Sequence, residues 1–227
     1  MKILVFDTET TGLSKFKKVL PVQIDSWPYI VQFSYMMYDK QSIEKVGDDI
    51  IKLPPGVVIP EETSKIHGIT NEMCETGVDI SECLLKFAEY YSQADVIVAH
   101  NLSFDLNMIT AELIRLIYSG KETHHLVDYS KLLKSLSHPP ENKHYCTLQN
   151  SIVLCDIKAV NLAGKEYTKF PTLSELHKEL FQTIPVNLHN SLNDVVVCLR
   201  CYYMLDKKED ILENNILLKN MFESLVT

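Results

Sequence analysis

The chain has 227 residues, 46% of them hydrophobic and 23% charged, a balance that suits one globular domain with a sizeable core. Its net charge of -8 argues against broad electrostatic capture of long duplex nucleic acid, but not against an enzyme that grips a chain end through local contacts. No run of about twenty apolar residues is present and the N-terminus reads as a strand, so the sequence implies a soluble, intracellular protein with no membrane partner.

Residues 2–7 form the first predicted strand, apolar from Ile3 to Phe6. A small basic cluster follows (Lys15, Lys17, Lys18), and a loop over 22–28 holds the only tryptophan, Trp27. Strands are predicted at 29–38 and 42–52, then a short helix at 61–66 closed by His67 and Gly68. Residues 81–92 repeat with a helical period that turns Leu84, Leu85, Phe87 and Ala88 inward. A short apolar strand at 95–99 leads into a long amphipathic helix at 104–118, which Gly120 stops. Residues 121–143 read as an insertion holding a short helix over 129–136, with a strand near Tyr145 after it. Further helices are predicted at 147–154, 173–181, 193–205 and 209–225. Strands first, then helices alternating with strands, give an α/β class: one domain over 1–227 with a central mixed β-sheet flanked by α-helices. The six cysteines (Cys74, Cys83, Cys146, Cys155, Cys198, Cys201) lack a secreted disulfide spacing and read as reduced thiols.

Four acidic residues, at three places along the chain, carry the chemistry. Asp7 and Glu9 are two apart on a strand, so they project to one side of the sheet. Adjacent like charges at a strand end need compensation, and a divalent cation with oxygen ligands supplies it; solvated acids at an ordinary strand end are the plain alternative. Asp105 falls in the first turn of the helix after strand 95–99, with Asn101 or Ser103 as the cap. The helix dipole explains an acid there, yet this is also where open α/β sheets place their ligands. His189 falls in a loop, and Asp194 five residues on falls in the first turn of the next helix.

In chain order these read D-x-E, H-N-x-x-F-D and H-x-x-x-x-D. The set resembles the DEDD exonucleases, and its histidine spacing is that of the DEDDh (DnaQ-like) 3′–5′ exonuclease branch, which includes the proofreading epsilon subunit of bacterial DNA polymerase III and stand-alone relatives. FDTETTGL (6–13), WPYIVQFSY (27–35), IHGIT (66–70), AHNLSFD (99–105) and FPTLSELHKELF (170–181) carry the resemblance over nearly the whole chain. It departs in the insertion and in the last motif, where Ser191 stands for the usual alanine.

The resemblance implies a ribonuclease H-like fold and two divalent cations, Mg2+ or Mn2+, on Asp7, Glu9, Asp105 and Asp194, with His189 as general base toward water. It implies release of 5′-mononucleotides from a DNA 3′ end, single-stranded or frayed. Thr10, Thr11, Gly12 and Leu13 would hold the terminal nucleotide, His67, Gly68 and Ile69 would flank its base, and His100, Asn101 and Phe104 would line the groove. Trimming of RNA ends is the alternative substrate, and a polymerase would be a partner on a separate chain. Two other classes compete. A zinc module could use Cys198 and Cys201, although their helix is apolar and suits core cysteines. A non-catalytic scaffold would have no need of five such groups.

Overall fold

Alternation along one strand sets the architecture. In the computed structural model, which describes residues 1–39, 42–120 and 125–226, β1 (Lys2–Thr10) is the central strand of a five-stranded sheet. It pairs antiparallel with β2 (Ile30–Asp39), and β2 pairs antiparallel with β3 (Ser42–Ile50). Two short helices, α1 (Glu61–His67) and α2 (Asn71–Glu75), precede the long α3 (Ile80–Gln93). The chain then returns to the other side of β1 as β4 (Val96–Ala99), which is parallel to it. Helices α4 (Leu102–Ser119) and α5 (Leu126–Ser137) lead to β5 (His144–Cys146), parallel to β4. The strand order is β3-β2-β1-β4-β5, a mixed sheet as the element pattern predicts.

Each face of the sheet carries its own apolar layer. Leu4 and Phe6 of β1 point to one side, with Phe33, Tyr35 and Met37 of β2, and pack on α3, α4 and α5. Phe87 stands at the middle of this layer, with ring centroids 5.1 Å from Phe6 and 5.0 Å from Phe33. Ile3 and Val5 point the other way with Met36 and Tyr38. They meet the second set of helices: α6 (Thr147–Cys155), α7 (Leu173–Phe181), α8 (Ser191–Lys207) and α9 (Ile216–Val226). Among the described residues no helix is long and apolar enough to cross a membrane.

Several boundaries differ from expectation for identifiable reasons. β1 runs past residue 7 to Thr10, because Thr8 and Thr10 are buried and pairing with β2 continues through Glu9 opposite Gln32. The loop before β2 holds a 3-10 helix, Pro21–Ser26. The segment 209–225 is not one helix. Asp210 accepts from the Leu212 N–H and starts a 3-10 turn (Ile211–Glu213), and Asn215 accepts from the Leu218 N–H within the first turn of α9. A small hairpin of β6 (Lys158–Val160) and β7 (Glu166–Thr168) was not predicted; its residues are almost all exposed, so they carry no alternating pattern. The insertion helix, α5, is longer than the predicted 129–136 and buries Tyr129, Leu132 and Leu136 in the first layer. Residues 121–124 of that insertion lie outside the described residues.

Candidate active site

The last residues of β1 continue the alternation with polar side chains. Asp7 and Glu9 follow Ile3 and Val5 toward α8, whereas Thr8 and Thr10 follow Leu4 and Phe6 toward α4. Thr8 reaches Asp105 there: its backbone N–H and its hydroxyl both donate to Asp105 Oδ1, at 3.1 and 2.8 Å. Asp105 lies in the first turn of α4 and is 2% exposed. Asn101 makes the turn from β4 into α4 with φ 68°, a left-handed conformation that asparagine tolerates better than most residues.

The second layer delivers the remaining groups. Asn190 caps α8, its side chain accepting the Asn193 N–H, and Asp194 lies in the first helical turn. Asp194 Oδ2 accepts the backbone N–H of His189 at 3.0 Å. His189 has φ 67°, and this left-handed turn leaves the residue exposed beside the acids. One ligand atom from each of Glu9, His189 and Asp194 lies within 4.8 Å of the other two. Asp7, Glu9, Asp105, His189 and Asp194 thus come together at the C-terminal end of β1.

Charge in this cluster is costly. Burial pushes the Asp7 carboxyl up to about 7, against a lowering bond from Ser191. Burial, then the charges of Asp7, Asp194 and Asp105, raise Glu9 to about 9. Burial and Asp7 also hold Asp105 and Asp194 well above the ordinary carboxylate range. Among the described residues no lysine or arginine forms an ion pair with any of the four. Converging carboxylate oxygens with no cation from the protein are the donor set that hard divalent ions take. Cys198 and Cys201 are instead buried within α8 and join no ligand cluster among the described residues.

The candidate substrate residues divide into those that face outward and those that hold the fold. Thr10 donates its hydroxyl to the Gly12 carbonyl, and Thr11 exchanges hydrogen bonds with Tyr29 through its N–H and its hydroxyl. The turn they shape presents Leu13, 84% exposed. His67 is 8% exposed and its Nδ1 accepts the Ile69 N–H, so the neutral ring carries its hydrogen on Nε2, which is buried toward the Thr10 backbone. Gly68 ends α1 at φ 75°, where a side chain is disfavoured. Asn101 is exposed, and Phe104 is partly buried against the first layer. Ile69 departs from the expected groove position: its side chain is 2% exposed and packs with Val31, Ile59 and Cys74. His100 departs too. Its two ring nitrogens meet the Thr147 hydroxyl at 3.0 Å and the Pro171 carbonyl at 3.1 Å, which fastens β4 to α6 and to the chain before α7. Burial lowers its pKa to about 4, so the ring is neutral.

Sequence reasoning overlooked Thr8, which holds Asp105, and Gln32 and Ser191, which stand behind Asp7 and Asp194. Thr8 had a signal: a hydroxyl between two acids on a strand must face the opposite layer.

Five strands in this order with helices on both faces define a ribonuclease H-like α/β protein, here with an acidic site at the end of the central strand. The RNase_T family, described as Exonuclease, matches residues 4–202, and the chain belongs to it. It is 29% identical over 149 residues to the DNA polymerase III subunit epsilon of Treponema pallidum, covering 64% of this chain and 60% of that protein. It is 28% identical over 114 residues to the PolC-type DNA polymerase III of Pediococcus pentosaceus, covering 50% of this chain and 7% of that protein. The chain therefore spans from a small fraction to about 60% of the length of these curated relatives. Escherichia coli exonuclease I in complex with a dT13 oligonucleotide superposes with a TM-score of 0.59 at 15% identity, over 97% of this chain and 43% of that one. Exonuclease I of Methylocaldum szegediense gives a TM-score of 0.60 at 14% identity, over 93% of this chain and 42% of that one.

Proposed function

We propose that the chain is a metal-dependent 3′–5′ exonuclease that hydrolyses DNA from its 3′ end and releases 5′-mononucleotides. The observation that carries this reading is the convergence of Asp7, Glu9, Asp105, Asp194 and His189 at one strand end in a member of the exonuclease family. Asp7, Glu9, Asp105 and Asp194 would hold two divalent cations, Mg2+ or Mn2+, which when bound stabilise charge on the attacking and leaving oxygens of an in-line displacement.

The protein's own groups do the rest. His189, exposed beside Glu9 and Asp194, takes the proton of the attacking water. Its left-handed backbone aims the ring, and the N–H bond to Asp194 fixes that backbone to the cluster. The turn Thr10, Thr11, Gly12 and Leu13 receives the terminal nucleotide, with the exposed Leu13 side chain against a base face. Such apolar contact tolerates any sequence and suits an unpaired end. His67 and Gly68 would form one wall, while Asn101 and Phe104 would stand on the α4 side. Ile69 and His100 support these walls from within the fold. Similarity to polymerase III epsilon supports DNA as substrate and a polymerase on a separate chain as partner.

A 5′-labelled single-stranded DNA oligonucleotide, incubated with the chain and Mg2+ or Mn2+, should shorten stepwise and yield mononucleotides. Chelation by EDTA should stop the reaction. A matched RNA oligonucleotide run beside it decides the sugar preference. Absence of release from either polymer under both metals would overturn the enzyme reading in favour of a scaffold.

A further inference from the structure

A polar stripe runs behind the acids and ends on β3. Gln32 lies opposite Glu9 and Ser34 opposite Asp7 in the β1–β2 register, and Asp48 lies opposite Ser34 on β3. Directly opposed residues of antiparallel strands share a face, so the stripe looks toward α8 as the acids do. Asp48 Oδ1 accepts from both Gln32 Nε2, at 2.8 Å, and the Ser34 hydroxyl, at 2.7 Å. An ionised carboxylate only accepts, so it takes the amino end of the amide and leaves Gln32 Oε1 for another donor. That donor is the backbone N–H of Ser191, at 3.1 Å. Ser191 is the first residue of α8, and an N–H there has no acceptor within its own helix. The Ser191 hydroxyl then donates to the Asp7 carbonyl at 2.7 Å, which closes the path onto β1.

We propose that Asp48 is a positioning residue for catalysis: through Gln32 it fixes the start of α8, and with it Asp194 and His189. This rests on the exonuclease reading above. The arm that carries those two groups is tied within itself, by Asn193 to the Asn187 carbonyl, by Asn190 to the Asn193 N–H, and by His189 to Asp194. Beyond the apolar packing of α8 on the sheet, the two bonds of Ser191 tie this end to the strands, one to Gln32 on β2 and one to the Asp7 carbonyl on β1. His189 itself is exposed, and of its immediate neighbours Leu188 packs against the second layer, so its ring follows the placement of the arm. Gln32, Ser34 and Ser191 are all buried, and Gln32 can turn its oxygen to Ser191 reliably only while Asp48 holds its nitrogen. The role is geometric. Both donors end on one oxygen of Asp48, and the side-chain oxygen of asparagine can serve them as well.

The test compares the wild-type chain with Asp48→Ala, Asp48→Asn and Gln32→Leu, using a labelled single-stranded DNA oligonucleotide and Mn2+, with melting followed in parallel. Asp48→Ala and Gln32→Leu should lower kcat about 10- to 100-fold with KM changed by less than about threefold, at temperatures well below their melting. Asp48→Asn should keep kcat within about threefold of wild type. Wild-type kcat in Asp48→Ala would overturn the proposal, as would an Asp48→Asn variant as slow as alanine, since charge and not the bond path would then be responsible. Where Asp48→Ala does not fold, Gln32→Leu decides in its place. If wild type releases no nucleotide, the exonuclease reading has failed, and titration with Mn2+ alone tests the placement: weaker binding in Asp48→Ala than in Asp48→Asn supports it, and equal binding overturns it.

Discussion

His189 and Asp105 represent two ways of holding a functional side chain. His189 is exposed, and the fold uses its backbone N–H, which donates to Asp194 and does not depend on the imidazole. His189→Ala should therefore lower turnover about 100-fold or more while leaving the melting temperature nearly unchanged. Near-normal turnover in a coupled nucleotide-release assay would remove the histidine from the mechanism. Asp105 is the opposite case, enclosed and gripped by Thr8 through two hydrogen bonds. Asparagine can keep both bonds through its side-chain oxygen and removes a charge that burial and Asp7 disfavour. Asp105→Asn should thus abolish most activity yet match or exceed wild-type stability in EDTA, by about 1 kcal/mol in urea unfolding. A clear loss of stability would show that the charge itself holds β1 to α4.

At the scale of elements, the clasp between α8 and the turn before α9 contributes to the acid limb of stability. Arg200 pairs with both carboxylate oxygens of Asp210, at 3.0 and 2.6 Å, contacts His177 and stacks on Phe181. Burial works against ionisation of Asp210, but bonds from Arg200 and the Leu212 N–H outweigh it and hold the carboxyl below its ordinary value. A depressed folded-state pKa adds stability that is complete above the unfolded value, near 4, and is lost as pH falls through the folded one. Asp210→Asn should lower the urea midpoint at pH 7 and flatten its fall below about pH 4. An acid limb identical to that of wild type would contradict this assignment. The same region shows where sequence periodicity stops being informative. Residues 209–225 are helical in composition throughout, but Asp210 and Asn215 use their side chains as backbone acceptors and so cut the segment in two. Conversely, α7 has the bounds expected from Pro171 and Thr172 before it, and a reciprocal capping box of Thr172 and Glu175 fixes its start.

For the whole molecule, the apolar layers were legible because β1 alternates cleanly and α3 repeats with one buried stripe. The acids and the histidine were legible from their order and spacing along the chain. Residues that brace them were not, because Gln32, Ser34 and Asp48 have no local pattern and meet only through strand register. Ile69 and His100 looked like groove residues by motif, while their contacts belong to packing and to inter-element hydrogen bonds that sequence distance conceals. The first layer depends on Phe87, which touches rings from β1 and β2 together. Phe87→Ala should cost about 3–5 kcal/mol of unfolding free energy and broaden access to the hydrophobic layer, measurable by urea titration and by dye binding. A loss below about 1 kcal/mol would mean that neighbouring aromatic rings collapse into the space.

The alternation at the end of β1 also bears on how the chain is made. In translation order Asp7 and Glu9 precede Asp105, and His189 with Asp194 come after both. Thr8 can dock α4 early, whereas the opposite face waits for α8. A product that stops before His189 thus carries Asp7, Glu9 and Asp105 but lacks both Asp194 and the histidine beside it. The proposed site is therefore complete only once helices cover both faces of β1.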